Sequence, residues 1–244
     1  MYRARVIPCL LVRGNGLVKT KQFDSPVYLG DPVNTMRIFS EKEVDEIVVL
    51  DIDASNENRE PNYRLIEEMA GEAFMPVAYG GGIRTIEQVR RLIRLGIEKV
   101  VINTAAFESI NVISEAAGVF GRQAVVGAVD VRKSSSGDYR VMKKSGSINA
   151  KVDLFEHIAK MIDAGIGELF LNNVDRDGMM NGYDLDLIRS VASRISIPLV
   201  VCGGAGKTDD FTSALSSGAS AVAAGSMFVF FGRHKAVLIT YDAG

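Results

Sequence analysis

Histidine and cysteine are scarce in this chain, at two each among 244 residues. With so few, and with no Cys or His cluster at ligand spacing, no metal site is expected. Both cysteines, Cys9 and Cys202, stand inside apolar runs, which fits reduced core thiols rather than a disulfide framework. No apolar run approaches a membrane span, and the one in MYRARVIPCLLV is too short for a secretory signal. A surplus of one charge sign is missing too, since 28 Lys and Arg stand against 30 Asp and Glu. The formal net charge of −2 gives neither nucleic acid nor an anionic membrane a reason to bind. What remains, 47% hydrophobic and 24% charged, suits a globular cytoplasmic chain with a sizeable core. One domain over residues 1–244 is expected, because α/β barrels commonly reach about 250 residues.

What is present is a repeated unit. LVVCGGAGKTDDFTSALSSGASAVAAGSM (Leu199–Met227) reads as an apolar run ending in Gly-Gly, a helix, and a second apolar run ending in Gly225-Ser226. PVAYGGGIRTIEQVRRLIRLGIEKVVINTAAF (Pro76–Phe107) follows the same plan in the first half of the chain. Glycine after a buried strand lets backbone N–H groups approach an anion, and the next helix N-terminus adds a positive dipole end. Two copies of such a unit imply a ligand with an anionic group at each end.

Between and around them, apolar runs alternate with helical patterns. Candidate strands are Arg5–Val12, Glu46–Ile52, Pro76–Tyr79, Lys99–Ile102, Ala124–Val131, Glu168–Asn172, Pro198–Val201 and Ala221–Ala224. Their nearly continuous apolar, β-branched character is that of strands buried on both faces. Helices are expected from Asp31-Pro32, an N-cap followed by proline at the first helical position, and over Tyr63–Ala73, Ile86–Leu95, Val112–Phe120, Leu154–Ala164, Leu185–Ile195 and Phe211–Ser217. Gly96, Gly121, Gly165 and Gly218 stand where left-handed helix stops are expected. Eight strands alternating with helices argue for a (β/α)8 TIM barrel, and the repeat for two half-barrels of about 1–122 and 123–244. A doubly wound open sheet would not predict the repeat. For the eighth helix only Lys235–Thr240 remains, so the barrel either closes with a shortened helix or is cut short.

A barrel places chemistry at the C-terminal ends of its strands. Asp130, in VVGAVDVRK, follows residues nearly all apolar or glycine, so its carboxyl should be desolvated with a raised pKa, suited to general acid/base work. Asp51, in VVLDIDAS, is a second candidate, either as a catalytic carboxylate or as a hydrogen-bonding anchor for its loop. Lys19, in GLVKTKQF, follows a Gly-Asn-Gly loop and could close over a phosphate or lie solvated. The turn-rich Lys133–Gly146 reads as a hairpin insertion after the fifth strand.

RVIPCLLV, LVKT, GDPV, LDIDAS, YGGGI, VVINTAA, QAVVGAVD, VDRDG, NGYD, CGGAGK and AAGSMF, in this order from about Arg5 to Phe231, resemble the cyclase subunit of imidazole glycerol phosphate synthase, HisF. The resemblance implies a (β/α)8 barrel that takes ammonia from a glutaminase partner, with no other cofactor. That ammonia would split and cyclise a sugar-linked aminoimidazole precursor carrying two phosphates. Carried over by motif, one phosphate site would comprise Gly82, Asn103 and Thr104. The other would comprise Asp177, Gly178, Gly204, Gly225 and Ser226, with Lys19 as the mobile-loop lysine. Asp130 would be one of the family's catalytic aspartate pair. Arg5, Glu46, Lys99 and Glu168, at strand starts, match the charged ring through which ammonia enters from the docked glutaminase.

The departure is at the other aspartate. The family's IPCLDV reads Ile7-Pro8-Cys9-Leu10-Leu11-Val12 here, and Leu11 aligns with Asp130 across the two halves. A lost general acid or base typically costs ~10²–10⁴-fold. On the same face Val101 replaces a usual small polar residue, and Asn172 a typical threonine. Altered chemistry on a related anionic ligand is therefore expected. With CLLV and LVKT paired and the first aspartate missing, the chain also resembles HisF-like proteins encoded with surface-polysaccharide genes, which are associated with amidation of a sugar; amidation of a phosphorylated sugar-type substrate is therefore the leading expectation. Their partners are a HisH-like glutaminase and a separate sugar amidotransferase. Two alternatives stay open: an authentic histidine-pathway cyclase (a lyase) tolerating Leu11, and a non-catalytic scaffold that activates a glutaminase and relays ammonia. No glutaminase signature, a nucleophilic Cys in a Gly-rich elbow with a His-x-Glu pair, is present in the chain itself.

Overall fold

The computed structural model describes residues 4–232 and 234–243, so residues 1–3, 233 and 244 of the expected span lie outside the described residues. The apolar runs become eight parallel strands: β1 (Arg5–Arg13), β2 (Ile47–Asp51), β3 (Val77–Gly80), β4 (Lys99–Ile102), β5 (Val125–Lys133), β6 (Glu168–Asn173), β7 (Leu199–Cys202) and β8 (Ala221–Ala224). β8 pairs with β1, with Arg5 beside Ala221, and β1 with β2, with Cys9 beside Val48. The pairing of β5 with β6, Asp130 beside Asn172, completes the ring. Closure leaves the parallel sheet no edge, and every strand is covered on both faces.

The sheet is wrapped by α1 (Pro32–Glu41), α2 (Tyr63–Gly71), α3 (Ile86–Arg94), α4 (Asn111–Phe120), α5 (Leu154–Ala164), α6 (Leu185–Ala192) and α7 (Thr208–Ser216). Local chemistry sets their ends. Asp31 caps α1 by accepting from Asn34 N at 2.8 Å, with proline next, and Thr85 and Gln88 form a capping box on α3. α5 stops at Gly165, whose φ of 116° and ψ of 21° are left-handed. Gly121 is a correction: its φ of 85° comes with an extended ψ of 153°, leading into a 3-10 turn instead of a left-handed stop.

Two apolar cores result. The larger lies between strands and helices, with Phe39, Met36, Leu92, Ile113 and Met161 fully buried. The smaller fills the barrel interior with alternate, inward-pointing residues such as Ile7, Val48, Ala78, Val126, Phe170, Val200 and Ala223. This inner column joins the two ends of the barrel.

Two findings depart from the sequence expectations. After β1 the chain forms an antiparallel hairpin, Gly16–Lys21 with Asp24–Gly30, where a loop was expected. Nor is there a helix over Lys235–Thr240. Ser226–Val229 makes one short turn, Phe230–Phe231 pairs with Ala236–Val237, and residues 238–243 form neither helix nor strand. Tyr241 Oη donates to Val6 O at 3.0 Å and its ring packs on Phe228 at 5.4 Å, so this segment lies against the start of β1. The hairpin after β5 forms as expected, with Tyr139–Lys143 returning antiparallel.

Candidate functional site

The C-terminal ends of the strands enclose two adjoining cavities. The first is lined by Gly80–Gly82 after β3, Asn103 and Thr104 after β4, Asp130 on β5, and apolar residues including Leu11, Val101 and Phe170. The second is lined by Lys19, Asp177, Gly178, Gly203, Gly204, Gly225 and Ser226, with Cys9 and Cys202 as its floor. Leu11 and Asn172 line both and form the shared wall. Every residue carried over as a phosphate ligand thus falls in one cavity or the other, in the grouping the motifs implied.

Backbone geometry makes both cavities suited to anions. Gly82 has φ +73° and a Cβ on it would stand 2.6 Å from Arg59 O; Gly204 has φ +116° and a Cβ would stand 2.2 Å from Gly182 O. Only glycine fits such turns. The short helices Thr104–Glu108 and Ser226–Val229 each begin at a cavity, and neither N-terminus has a side-chain cap. Their leading N–H groups therefore remain for an anion.

Asp130 is the titratable group of the first cavity. Burial pushes its carboxyl up to about 7, opposed by a hydrogen bond from Asn103 and assisted by the charge of Asp177. Asn103 Nδ2 donates to Asp130 Oδ2 at 2.8 Å. Near neutrality this carboxyl can give or take a proton. Leu11, on the wall of the same cavity and 6% exposed, can do neither.

One expectation is narrowed and one changes. Of the two readings of Asp51, the structure shows the loop anchor. Arg59 Nη1 and Nη2 donate to its two oxygens at 2.8 and 2.9 Å, and the backbone N–H groups of Asp53 and Ala54 donate to Oδ1. With its acceptors taken by a guanidinium and two amides, it anchors the loop after β2, and it lines neither cavity. Lys19 does not ride an open loop. It lies on the first hairpin strand, 5% exposed, and its Nζ donates to Cys9 O at 2.7 Å. The ammonium rests against Gly225, where a Cβ would come within 2.0 Å of it, so the cation is already in the second cavity.

What holds it there was not legible in the sequence. Thr20 Oγ1 donates to Asp177 Oδ2 at 2.6 Å and Gln22 N donates to Asp177 O at 2.9 Å, fastening the hairpin across the barrel top. Burial raises the pKa of Asp177, while Thr20, Lys19 and the Phe23 amide pull it back. The hairpin turn at Gln22-Phe23 has positive φ at both residues, 54° and 63°, and Phe23 packs over Gly146 of the other hairpin. Glycine or asparagine usually signals such a turn, and neither is present.

At the opposite end the four strand-start residues form a closed ring. Arg5 donates to both Glu46 and Glu168, while Lys99 Nζ donates to Glu46 at 2.8 and 2.9 Å and to Glu168 at 3.3 Å. Two positive and two negative charges balance. Glu46 is sealed from solvent at 2% side-chain exposure, whereas Arg5 and Lys99 keep 25% and 19%. Above the ring the inner column is apolar up to Leu11. His157 belongs to neither end: it is buried against Phe107 at 4.2 Å between centroids, and burial lowers its pKa to about 4. Among the described residues no His, Cys, Asp and Glu cluster could hold a metal, and no helix is long and apolar enough to cross a membrane.

Comparison with known proteins bears on this arrangement. The family described as histidine biosynthesis protein matches residues 5–235. A Pseudomonas aeruginosa protein, provisionally named imidazole glycerol phosphate synthase subunit hisF2, is 51% identical over 242 residues, 99% of this chain and 96% of its own. A provisionally named HisF subunit of Leptospira borgpetersenii is 46% identical over 246 residues, 100% of this chain and 97% of its own. The imidazole glycerol phosphate synthase subunit HisF of Streptomyces avermitilis is 40% identical over 226 residues, 93% of this chain and 90% of its own.

Proposed function

Because the chain belongs to the histidine biosynthesis protein family, as a HisF-like barrel, we propose that it is the ammonia-using subunit of a glutamine amidotransferase pair that amidates a phosphorylated, sugar-type substrate in surface-polysaccharide synthesis. A HisH-like glutaminase docks over the charged ring, and a sugar amidotransferase cooperates downstream. Ammonia, released as the neutral molecule, passes the ring and crosses the apolar inner column, which ammonium would enter only at a large desolvation cost. The two cradles hold the ligand by its anionic ends.

The observation that carries this reading is Leu11 on the wall between two intact cradles, with Asp130 as the titratable partner. When ammonia adds to a carbonyl carbon, the new C–N bond leaves a positive nitrogen, and the Asp130 carboxylate accepts its proton. The same carboxyl returns that proton to the negative oxygen, giving a neutral carbinolamine, and a second pass from nitrogen to oxygen expels water and leaves a C=N bond. One group can serve these two transfers in turn. Cyclisation by a pair of carboxyls, one acid while the other is base, needs a second group that Leu11 does not supply.

The test is turnover of the two-phosphate aminoimidazole precursor with an ammonium salt at high pH, which removes the need for a partner. Wild type is expected to be inactive, and Leu11→Asp to gain activity. Robust wild-type turnover would refute the reading and favour the second one, an authentic histidine-pathway cyclase, which the names of the Streptomyces relatives support.

A further inference from the structure

A five-residue helix, Thr104–Glu108, follows Asn103, whose Nδ2 donates to Asp130 Oδ2 at 2.8 Å. A helix this short barely holds itself, because few hydrogen bonds repay the ordering of its residues. Here Ala106 N donates to Asn103 O at 3.0 Å and Ser109 N to Ala105 O at 2.8 Å. Its sequence, TAAFE, has one large apolar side chain, Phe107, so the grip on that ring decides where the helix lies. Two elements supply the grip. His157, on α5 and 5% exposed, stacks on Phe107 at 4.2 Å between centroids and 6° between planes. On the hairpin after β5, Lys143 Nζ stands 5.8 Å from the same centroid, and Lys144 N donates to Thr104 Oγ1 at 3.3 Å. His157 Nε2 is buried with no partner among the described residues, so the ring contributes its face and not that polar atom.

We propose that His157 is a positioning residue: by stacking on Phe107 it fixes the short helix, and with it the Asn103 carboxamide on Asp130. This rests on the reading of Asp130 as the proton carrier and deepens it. The hydrogen bond from Asn103 opposes the effect of burial on Asp130, so a helix free to shift would weaken that bond and leave the carboxyl harder to ionise. Asp177, the other charge that Asp130 senses, lies on a different loop. Burial and the nearby Lys160 keep His157 itself neutral where Asp130 titrates.

The experiment follows Asp130 by carboxyl-carbon NMR titration in the intact chain. Wild type should titrate at about 7. Asn103→Ala should move Asp130 up by about one pH unit, the worth of one hydrogen bond. His157→Ala should shift it in the same direction by part of that amount. His157→Phe, which keeps a stacking ring, should return the wild-type value and guards against a misfolded alanine variant. The double variant, His157→Ala with Asn103→Ala, should titrate like Asn103→Ala alone, because both act through one bond. A merely structural histidine would lower stability and leave the titration where it was. An unmoved titration in His157→Ala, a phenylalanine variant that behaves like the alanine one, or shifts that add in the double variant would overturn the role of His157 alone. A wild-type Asp130 titrating near its ordinary value would instead refute the proton-carrier reading on which that role rests.

Discussion

Replacing Asp130 by asparagine should make the protein more stable at neutral and alkaline pH. The ordinary Asp value is 3.8, and burial pushes the folded carboxyl up to about 7. A difference of about 3 pH units corresponds to about 4 kcal/mol once both states have ionised. The sign follows from proton counting. Below about pH 4 both states hold the proton and no penalty exists. Between about pH 4 and 7 the unfolded chain has released its proton and the folded one has not, so stability falls as pH rises. Above about pH 7 the whole penalty remains. Asparagine never ionises, and as an isostere it can keep the hydrogen bond from Asn103 Nδ2. The advantage of Asp130→Asn over wild type should therefore grow from near zero at about pH 4 to about 4 kcal/mol at about pH 8. Urea unfolding of both proteins across this range reads it directly. Asp177, also raised, is common to both and largely cancels in the difference. A difference constant with pH, or a variant less stable than wild type at alkaline pH, would refute the reasoning.

Two further perturbations probe the ends of the barrel. Lys99→Met leaves Glu46, 2% exposed, with Arg5 as its remaining cation in the ring. The expected cost is about 2–3 kcal/mol in urea unfolding, below the ~3–5 of a fully buried pair because Lys99 retains contact with water; a cost as small as that of a surface pair would contradict a structural ring. Gly225→Ala places a Cβ 2.0 Å from Lys19 Nζ and 3.1 Å from Cys9 O. Since φ at Gly225 is −114°, the backbone accepts alanine and the flexible lysine tip must swing away. Inorganic phosphate should then bind about tenfold more weakly with the melting temperature little changed, because a charge-assisted hydrogen bond is lost; unaltered phosphate affinity would remove Lys19 from the second cradle.

The barrel was legible because its strands are buried on both faces, which writes them as apolar runs that the polar helix faces interrupt. The glycine clusters were equally plain, since the turns at Gly82 and Gly204 exclude any side chain. Contacts between distant segments were not. Nothing in LDIDAS announces that Arg59 will clamp Asp51, because the loop that returns the guanidinium has no periodicity. The first hairpin hides for another reason. Its second strand, Asp24–Gly30, is mostly exposed, so it carries no apolar alternation, and its turn lacks the usual residues. With the hairpin unseen, Lys19 reads as a loop lysine, although VKT is a buried strand segment. The C-terminal segment misleads similarly: its length suggests a short helix, but it is held by the Tyr241 ring on Phe228 and by Tyr241 Oη on Val6 O, contacts to distant residues that nothing local announces.

On the proposed reading, Leu11 does more than fail to supply a second acid. Two carboxyls lining one cavity would repel, so a second one would drive one member of the pair further from its ordinary pKa, as like charges in a shared site do. With leucine in that place, burial is the leading cause of the shift at Asp130, and it brings the carboxyl to about 7, where donor and acceptor forms coexist. A lone shuttle needs that value, whereas an acid–base pair needs its two values split apart. On the proposed reading, Leu11 and the titration of Asp130 belong together: a leucine at position 11 supplies no second proton carrier and leaves Asp130 poised to work in both directions. Leu11→Asp should accordingly raise the Asp130 pKa above that of wild type, measurable by carboxyl-carbon NMR titration. An unchanged titration would mean that the two positions do not sense each other across the cavity.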